Sequence, residues 1–295
     1  MTLHTLQNEH WQAGILPGTG ASVAYGRVSV GTGWRDVLRP TAEAQYGNSS
    51  NCSSFIMMPW CNRIKGGVLR FEGAEYTMRT EKDDGTARHG DVRKRPWEVL
   101  AADDHHIRLR FTSSQHADVN YPFRFTGEAE YKLDGRDFVW VLSLRNDDSR
   151  PMPAGFGHHP YFVREPLAVS IPCEAYFPLT DFLATGAPQP LTPTLDFRTP
   201  KPLGTYPYNH LLTTRDGDTA AHLVYEGFRV SMTSDSLYKH YLIYAPEGEP
   251  FYALEPMTNA NDGFNLAAQG IAESGVFVLQ PGETASAAMC LTVER

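Results

Sequence analysis

The chain has 295 residues, 41% of them hydrophobic and 20% charged, with a formal net charge of −8. It is long enough to bury a substantial core, and it lacks the basic stripe by which nucleic-acid binding shows itself. No run approaches the roughly 18 apolar residues of a membrane-spanning helix, and the opening stretch MTLHTLQNEHWQAG has no basic start followed by an apolar run, so a signal peptide is not expected.

Four widely spaced cysteines, Cys52, Cys61, Cys173 and Cys290, form no CxxC pair. They read as reduced thiols, and the expected location is cytoplasmic.

Amphipathic helical periods are scarce, and alternation with period two is common. In chain order, a short helical turn is expected near residues 36–39 and a strand at 68–72. In residues 106–112, Ile107, Leu109 and Phe111 alternate with His106, Arg108 and Arg110. Segments 123–133 and 138–145 flank Asp134-Gly135, a hairpin turn signal. Further strands are expected at 221–225, 229–233 and 241–244. A helical turn should follow near 262–268, then strands at 275–279 and, after Pro281-Gly282, at 287–293. The 25 glycines and 21 prolines are dispersed, as many short strands joined by turns require. No linker or repeat is visible. The expected architecture is all-β, one large antiparallel sandwich over residues 1–295.

Among the eleven histidines, His4 and His10 near the terminus and His105 and His106 after Asp103-Asp104 read as ordinary surface residues. His89 lies in a polar, glycine-containing loop and is read either as a turn residue or as a functional one. His158 and His159 are adjacent in an extended segment, so only one can face a given site. Pro160 restricts His159 to an extended backbone. Glu255 sits in Phe251-Tyr252-Ala253-Leu254-Glu255-Pro256-Met257, where a buried carboxylate is costly unless it is paired or has a task, and is read either as a functional residue or as an edge-strand glutamate facing water. No HExxH, Cys/His zinc quartet or EF-hand loop is present, and no metal is expected. GxGxxG and GxSxG are also absent. What remains is a His/Glu pair able to do acid–base work without a cofactor.

At these residues the chain resembles the aldose 1-epimerase (galactose mutarotase-like) family. Pro59-Trp60-Cys61-Asn62-Arg63-Ile64, with Gly66-Gly67 and Phe71, resembles its P-x-x-N-R-[IL] segment. His89-Gly90 resembles its HG loop, and Gly157-His158-His159-Pro160-Tyr161-Phe162 its G-x-H-P-Y-F strand. Thr185-Gly186, Leu195-Asp196-Phe197-Arg198, Leu254-Glu255-Pro256 and Pro281-Gly282-Glu283-Thr284 resemble later elements in the same order. The resemblance implies a β-sandwich with an open cleft. It implies that Glu255 is a general base, His159 a general acid and His89 a second histidine at the sugar ring. Arg63, Asn62 and Asn209 would hold hydroxyls. The chain departs from the pattern at Asp91, where galactose-specific members often have a second glycine. It departs again at Asn209, which stands near where an aspartate is expected.

The implied partner is a monosaccharide, with no nucleic acid and no membrane, and the protein a monomer or homodimer. Trp60 is expected as a platform under the sugar. His159 is expected to have a raised pKa beside a carboxylate. Three other readings compete. A hexose-6-phosphate 1-epimerase would use Arg93-Lys94-Arg95 for the phosphate. A sugar-binding module would lack turnover. A glycoside hydrolase would need a second carboxylate, for which Asp181 and Asp262 are candidates.

Overall fold

The computed structural model describes residues 2–31, 33–215, 217 and 219–295. Its strands form an antiparallel β-sandwich. One eight-stranded sheet runs, in spatial order, through Glu98–Ala102, His106–Thr112, Phe125–Asp134, Asp137–Asn146, Thr284–Glu294, Phe228–Ser234, Ala221–Tyr225 and Ala168–Ser170. The other runs through Gln189–Pro190, Cys173–Phe177, Tyr208–Arg215, His240–Ala245, Phe251–Met257, Gly157–His158 and Ile56–Met57, with Tyr161–Val163 also paired to Phe251–Met257. The strands His4–Gln7, Trp11–Leu16, Ser22–Ser29 and Trp34–Asp36 add a four-stranded meander.

Period-two patterning explains the first sheet. In Asp137–Asn146 the residues Phe138, Trp140, Leu142 and Leu144 are buried and their neighbours are not. The same alternation runs along Phe125–Asp134 and Thr284–Glu294. Inward rings interlock, with Trp140 5.1 Å from Phe138 and 5.5 Å from Tyr131 between centroids. The hairpin joining the first two strands pairs Asp134 with Asp137. Gly135 supplies its positive φ, so the turn lies one residue later than the Asp134-Gly135 signal suggests.

The second sheet is covered on both faces. Phe251–Met257 shows no alternation in burial beyond its first residue. Its residues nevertheless divide by parity. Tyr252 and Leu254 join the core between the sheets, whereas Met257 joins a smaller cluster on the outer face with Phe55, Leu211 and Leu242. Glu255 shares the parity of Met257 and therefore faces outward.

One side of this strand is incompletely paired. Tyr161 pairs Ala253 and Gly157 pairs Met257, with no pairing at 254–256 on that side. His159-Pro160 occupies the interval. The Thr258 N–H donates to Phe156 O on this side. Position 256, two residues back, faces the same way and is a proline with no N–H to leave unpaired.

The expected helical turn at 36–39 is not formed. Asp36 ends the strand Trp34–Asp36, and Leu38 bridges Phe162 instead. Val37 and Leu38 are both fully buried, and an extended crossing lets two successive apolar side chains reach the core. The turn expected at 262–268 is the α-helix Gly263–Ala268. No helix among the described residues is long and apolar enough to cross a membrane.

Phe138→Ala removes a ring with no solvent exposure and should cost about 3–5 kcal/mol. Urea unfolding followed by circular dichroism measures it. An unchanged midpoint would show that this inner face is not core.

Candidate active site

A cleft of about 340 Å³ opens on the outer face of the second sheet. Glu255, Leu242, Tyr244 and Asn209 form its floor. They sit on three adjacent strands in register, Glu255 beside Leu242 and Tyr244 beside Asn209.

His159 enters from the interval in the sheet. Its backbone N–H donates to Phe55 O. Its Nε2 lies 3.1 Å from Glu255 Oε1. His158 turns the other way, into the core, with its ring 5.2 Å from Trp140.

His89 reaches the cleft by a constrained loop. Its own φ is +60°, and that of Gly90 is +70°. A Cβ on Gly90 would lie 2.0 Å from Met58 O, so glycine is required there. The His89 N–H donates to Asn62 O at 2.7 Å. The ring then stands 5.3 Å from that of His159. Asn62, also at positive φ, accepts from Arg63 at 3.3 Å. Arg63 is held by Asp84 at 2.9 Å.

Burial sets the electrostatics. Glu255 and His159 are 1% and 6% exposed. Desolvation raises the Glu255 carboxyl well above its usual range, the Arg63 charge opposing it. Desolvation also pushes His159 down to about 3, which overturns the expected rise. At 3.1 Å an ion pair would be geometrically possible, but charge separation in so dry a site is costly. The contact is therefore a hydrogen bond between a protonated carboxyl and a neutral imidazole. Burial likewise lowers His89. Glu255 Oε2 and His159 Nδ1 have no protein partner. The pair thus holds one proton, and one carboxyl oxygen is free of it.

The cleft brings together Asn62, Arg63, His89, His159, Asn209 and Glu255. Trp60 does not join them. It is 1% exposed and stacks on Tyr121 at 5.9 Å, because its side chain belongs to the core between the sheets. The aromatic ring at the rim is Phe182, which is 47% exposed. Phe182 and Asp181 form the turn between Leu179–Thr180 and Leu183–Ala184, both at positive φ. A bulky residue in that conformation is unusual and costs on the order of 1–3 kcal/mol. Arg63 lies over the ring at 4.7 Å, and Asn261 donates to the Phe182 carbonyl at 2.7 Å. Neither turn residue carries a glycine signal, so the sequence did not mark this ring.

Tyr161 and Arg93 also line the cleft. Asp181 and Asp262 line a separate groove of about 650 Å³ beyond the turn and do not face Glu255 across the cleft. Among the described residues no three His, Cys, Asp or Glu side chains converge as metal ligands would.

Comparison with known proteins shows the family and the fold of the chain. The profile of a family described as Aldose 1-epimerase matches residues 2–292. An uncharacterized Escherichia coli (strain K12) protein, YphB, is 26% identical over 274 residues, 88% of this chain and 91% of its own. Among solved structures, a galactose mutarotase-like protein from Clostridium acetobutylicum superposes with a TM-score of 0.86 at 18% identity, covering 99% of this chain and 94% of that one. A galactose 1-epimerase from Lactobacillus acidophilus NCFM gives 0.78 at 16% identity, covering 98% and 93%. At such identities the structures establish the fold.

The fold prefers Glu255 protonated. That stability is whole below the ordinary carboxylate range and is lost as pH climbs through the raised value. For His159 the sign reverses, and stability is lost as pH falls from about 6.5 toward 3. Glu255→Gln should therefore unfold at higher denaturant than the parent at pH 8 and together with it near pH 4. A lower midpoint at pH 8 would contradict the neutral carboxyl.

Proposed function

The chain belongs to the aldose 1-epimerase family, and from that premise we propose that it interconverts the α and β anomers of a free aldohexose such as glucose or galactose. The observation that carries the proposal is the buried contact of Glu255 with His159, 3.1 Å apart and facing the cleft.

Mutarotation needs a proton to leave the C1 hydroxyl and another to reach the ring oxygen. The C1–O5 bond breaks, the resulting aldehyde turns about C1–C2, and the ring closes on its other face. An acid and a base must be present together, and a pair sharing one proton provides both. In the forward direction Glu255, its proton passed to His159, takes the hydroxyl proton through the carboxyl oxygen that has no protein partner. His159 supplies the ring oxygen. On closure the roles exchange. His89, its pKa lowered by burial, hydrogen-bonds as a neutral ring. Arg63, Asn62 and Asn209 hold hydroxyls that do not react, and Phe182 covers one face of the ring.

A hexose 6-phosphate draws less support. Lys94 pairs with Glu81, and Arg95 with Asp91 and Asp118, outside the cleft. Only Arg93 of the expected cation run lines the cleft, and Arg63 and Arg88 there are already paired with Asp84. The four unpaired thiols suit a reducing compartment, and we place the protein in the cytoplasm on that ground.

Polarimetry of freshly dissolved α-glucose and α-galactose tests the activity. Glu255→Gln and His159→Gln should each lower kcat by about 10²-fold or more. Undiminished relaxation in either variant would remove that residue from the chemistry. Phe182→Ala should raise KM several-fold, as loss of one stacking contact implies, with kcat little changed. An unchanged KM would release the ring from this role.

A further inference from the structure

Arg39 does not line the cleft, yet a single ring, that of Tyr161, touches both it and His159. Its guanidinium lies 4.0 Å from the centroid of the Tyr161 ring and 4.6 Å from that of Phe251. Tyr161 packs on His159 with centroids 4.5 Å apart. Phe55 meets the same imidazole at 4.5 Å and carries the Arg93 guanidinium at 5.2 Å. Phe55 and Tyr161 are 6.5 Å apart, so the three rings close a triangle. Phe55 and Tyr161 thus each hold a cation on the π-system as well as the imidazole. Ser50 ties the two arginines, its hydroxyl accepting from Arg93 at 2.8 Å and its carbonyl from Arg39 at 3.5 Å.

The two cations differ in compensation. Arg93 has Glu81 at 3.5 Å. Arg39 donates to the carbonyl of Cys52 at 2.9 Å, and among the described residues no carboxylate forms an ion pair with it. The other charged or titratable groups turned toward His159 are Glu255 from Phe251–Met257, Tyr161 from its own strand, His89 from the preceding loop, Arg93 from the turn Val92–Lys94 and Arg63 from Arg63–Ile64. Arg63 is balanced by Asp84. Arg39 is thus the cation near the imidazole with no carboxylate in contact, Glu249 acting on it only from farther off.

We infer that Arg39 is a positioning residue for the proposed reaction: through the Tyr161 ring it fixes the orientation of His159 and disfavours a positive charge there, keeping the shared proton on the Glu255 side. The inference rests on the acid–base reading above. A charge without a contacting counter-ion in a partly buried setting raises the cost of a second like charge nearby. Burial first, then the Arg93, Arg39 and Arg63 charges, hold the imidazole down.

The test compares the pH profile of kcat/KM for the parent, Arg39→Gln and Arg39→Lys. Removing the charge should move both limbs of the profile to higher pH by on the order of half a unit, while lysine leaves them in place. A profile that only loses height, or a lysine variant displaced as far as glutamine, overturns the inference and leaves Arg39 a packing residue. The 15N titration of the His159 ring is followed in the same variants and requires no turnover. Its midpoint should rise in Arg39→Gln, and an unmoved midpoint overturns the inference by itself. Should the parent show no mutarotation, the functional reading fails and the titration still decides the role of Arg39. Arg39→Met, which keeps the stem, replaces the glutamine variant if that fails to fold.

Discussion

A carboxyl group held out of water in the middle of a strand is the constraint on which the site depends. Glu255 is buried because Phe251–Met257 is covered on both faces, and an ionised group there lacks the solvation it would have in water. The strand tolerates it because His159 stands within hydrogen-bond distance. The same desolvation that favours a neutral carboxyl favours a neutral imidazole, and together they make a pair with one proton to move. A more exposed glutamate would rest as an anion and would share no proton with the imidazole. The buried pair costs stability, as suits the acid–base role proposed for it.

Much of this was legible in the sequence, for reasons that differ from residue to residue. Alternation located the strands of the first sheet because that sheet has one wet face, and period-two burial follows from that. It gave no warning of the meander, where Trp11–Leu16 is buried at nearly every position and carries no alternation to read. It also misjudged residues 36–39, since Val37-Leu38 looks like a fragment of turn until the core that takes both side chains is known. Glu255 stood out because a carboxylate among apolar strand residues is anomalous; parity allowed only one of His158 and His159 into a site, and the resemblance to the family's G-x-H-P-Y-F strand pointed to His159.

The rim of the cleft was less accessible to such reasoning. Trp60 adjoins Cys61-Asn62-Arg63, which reaches the cleft, and closeness in sequence made it a candidate platform. The strand and turn geometry sends it into the core instead. Phe182 owes its place to two successive left-handed residues without glycine, a conformation no local rule anticipates. The direction of the His159 pKa also escaped. A neighbouring carboxylate raises an imidazole only if it is charged, and whether it is charged depends on burial, which sequence does not report.

The unpaired interval beside Pro256 has a mechanical consequence. Elsewhere in the sheet, two strands brought edge to edge would satisfy each other's donors and acceptors and close. At position 256 there is no donor to recruit a neighbour, and His159-Pro160 already stands in the space. The place that His159 takes beside Glu255 is therefore written into the backbone and not wedged open by side chains.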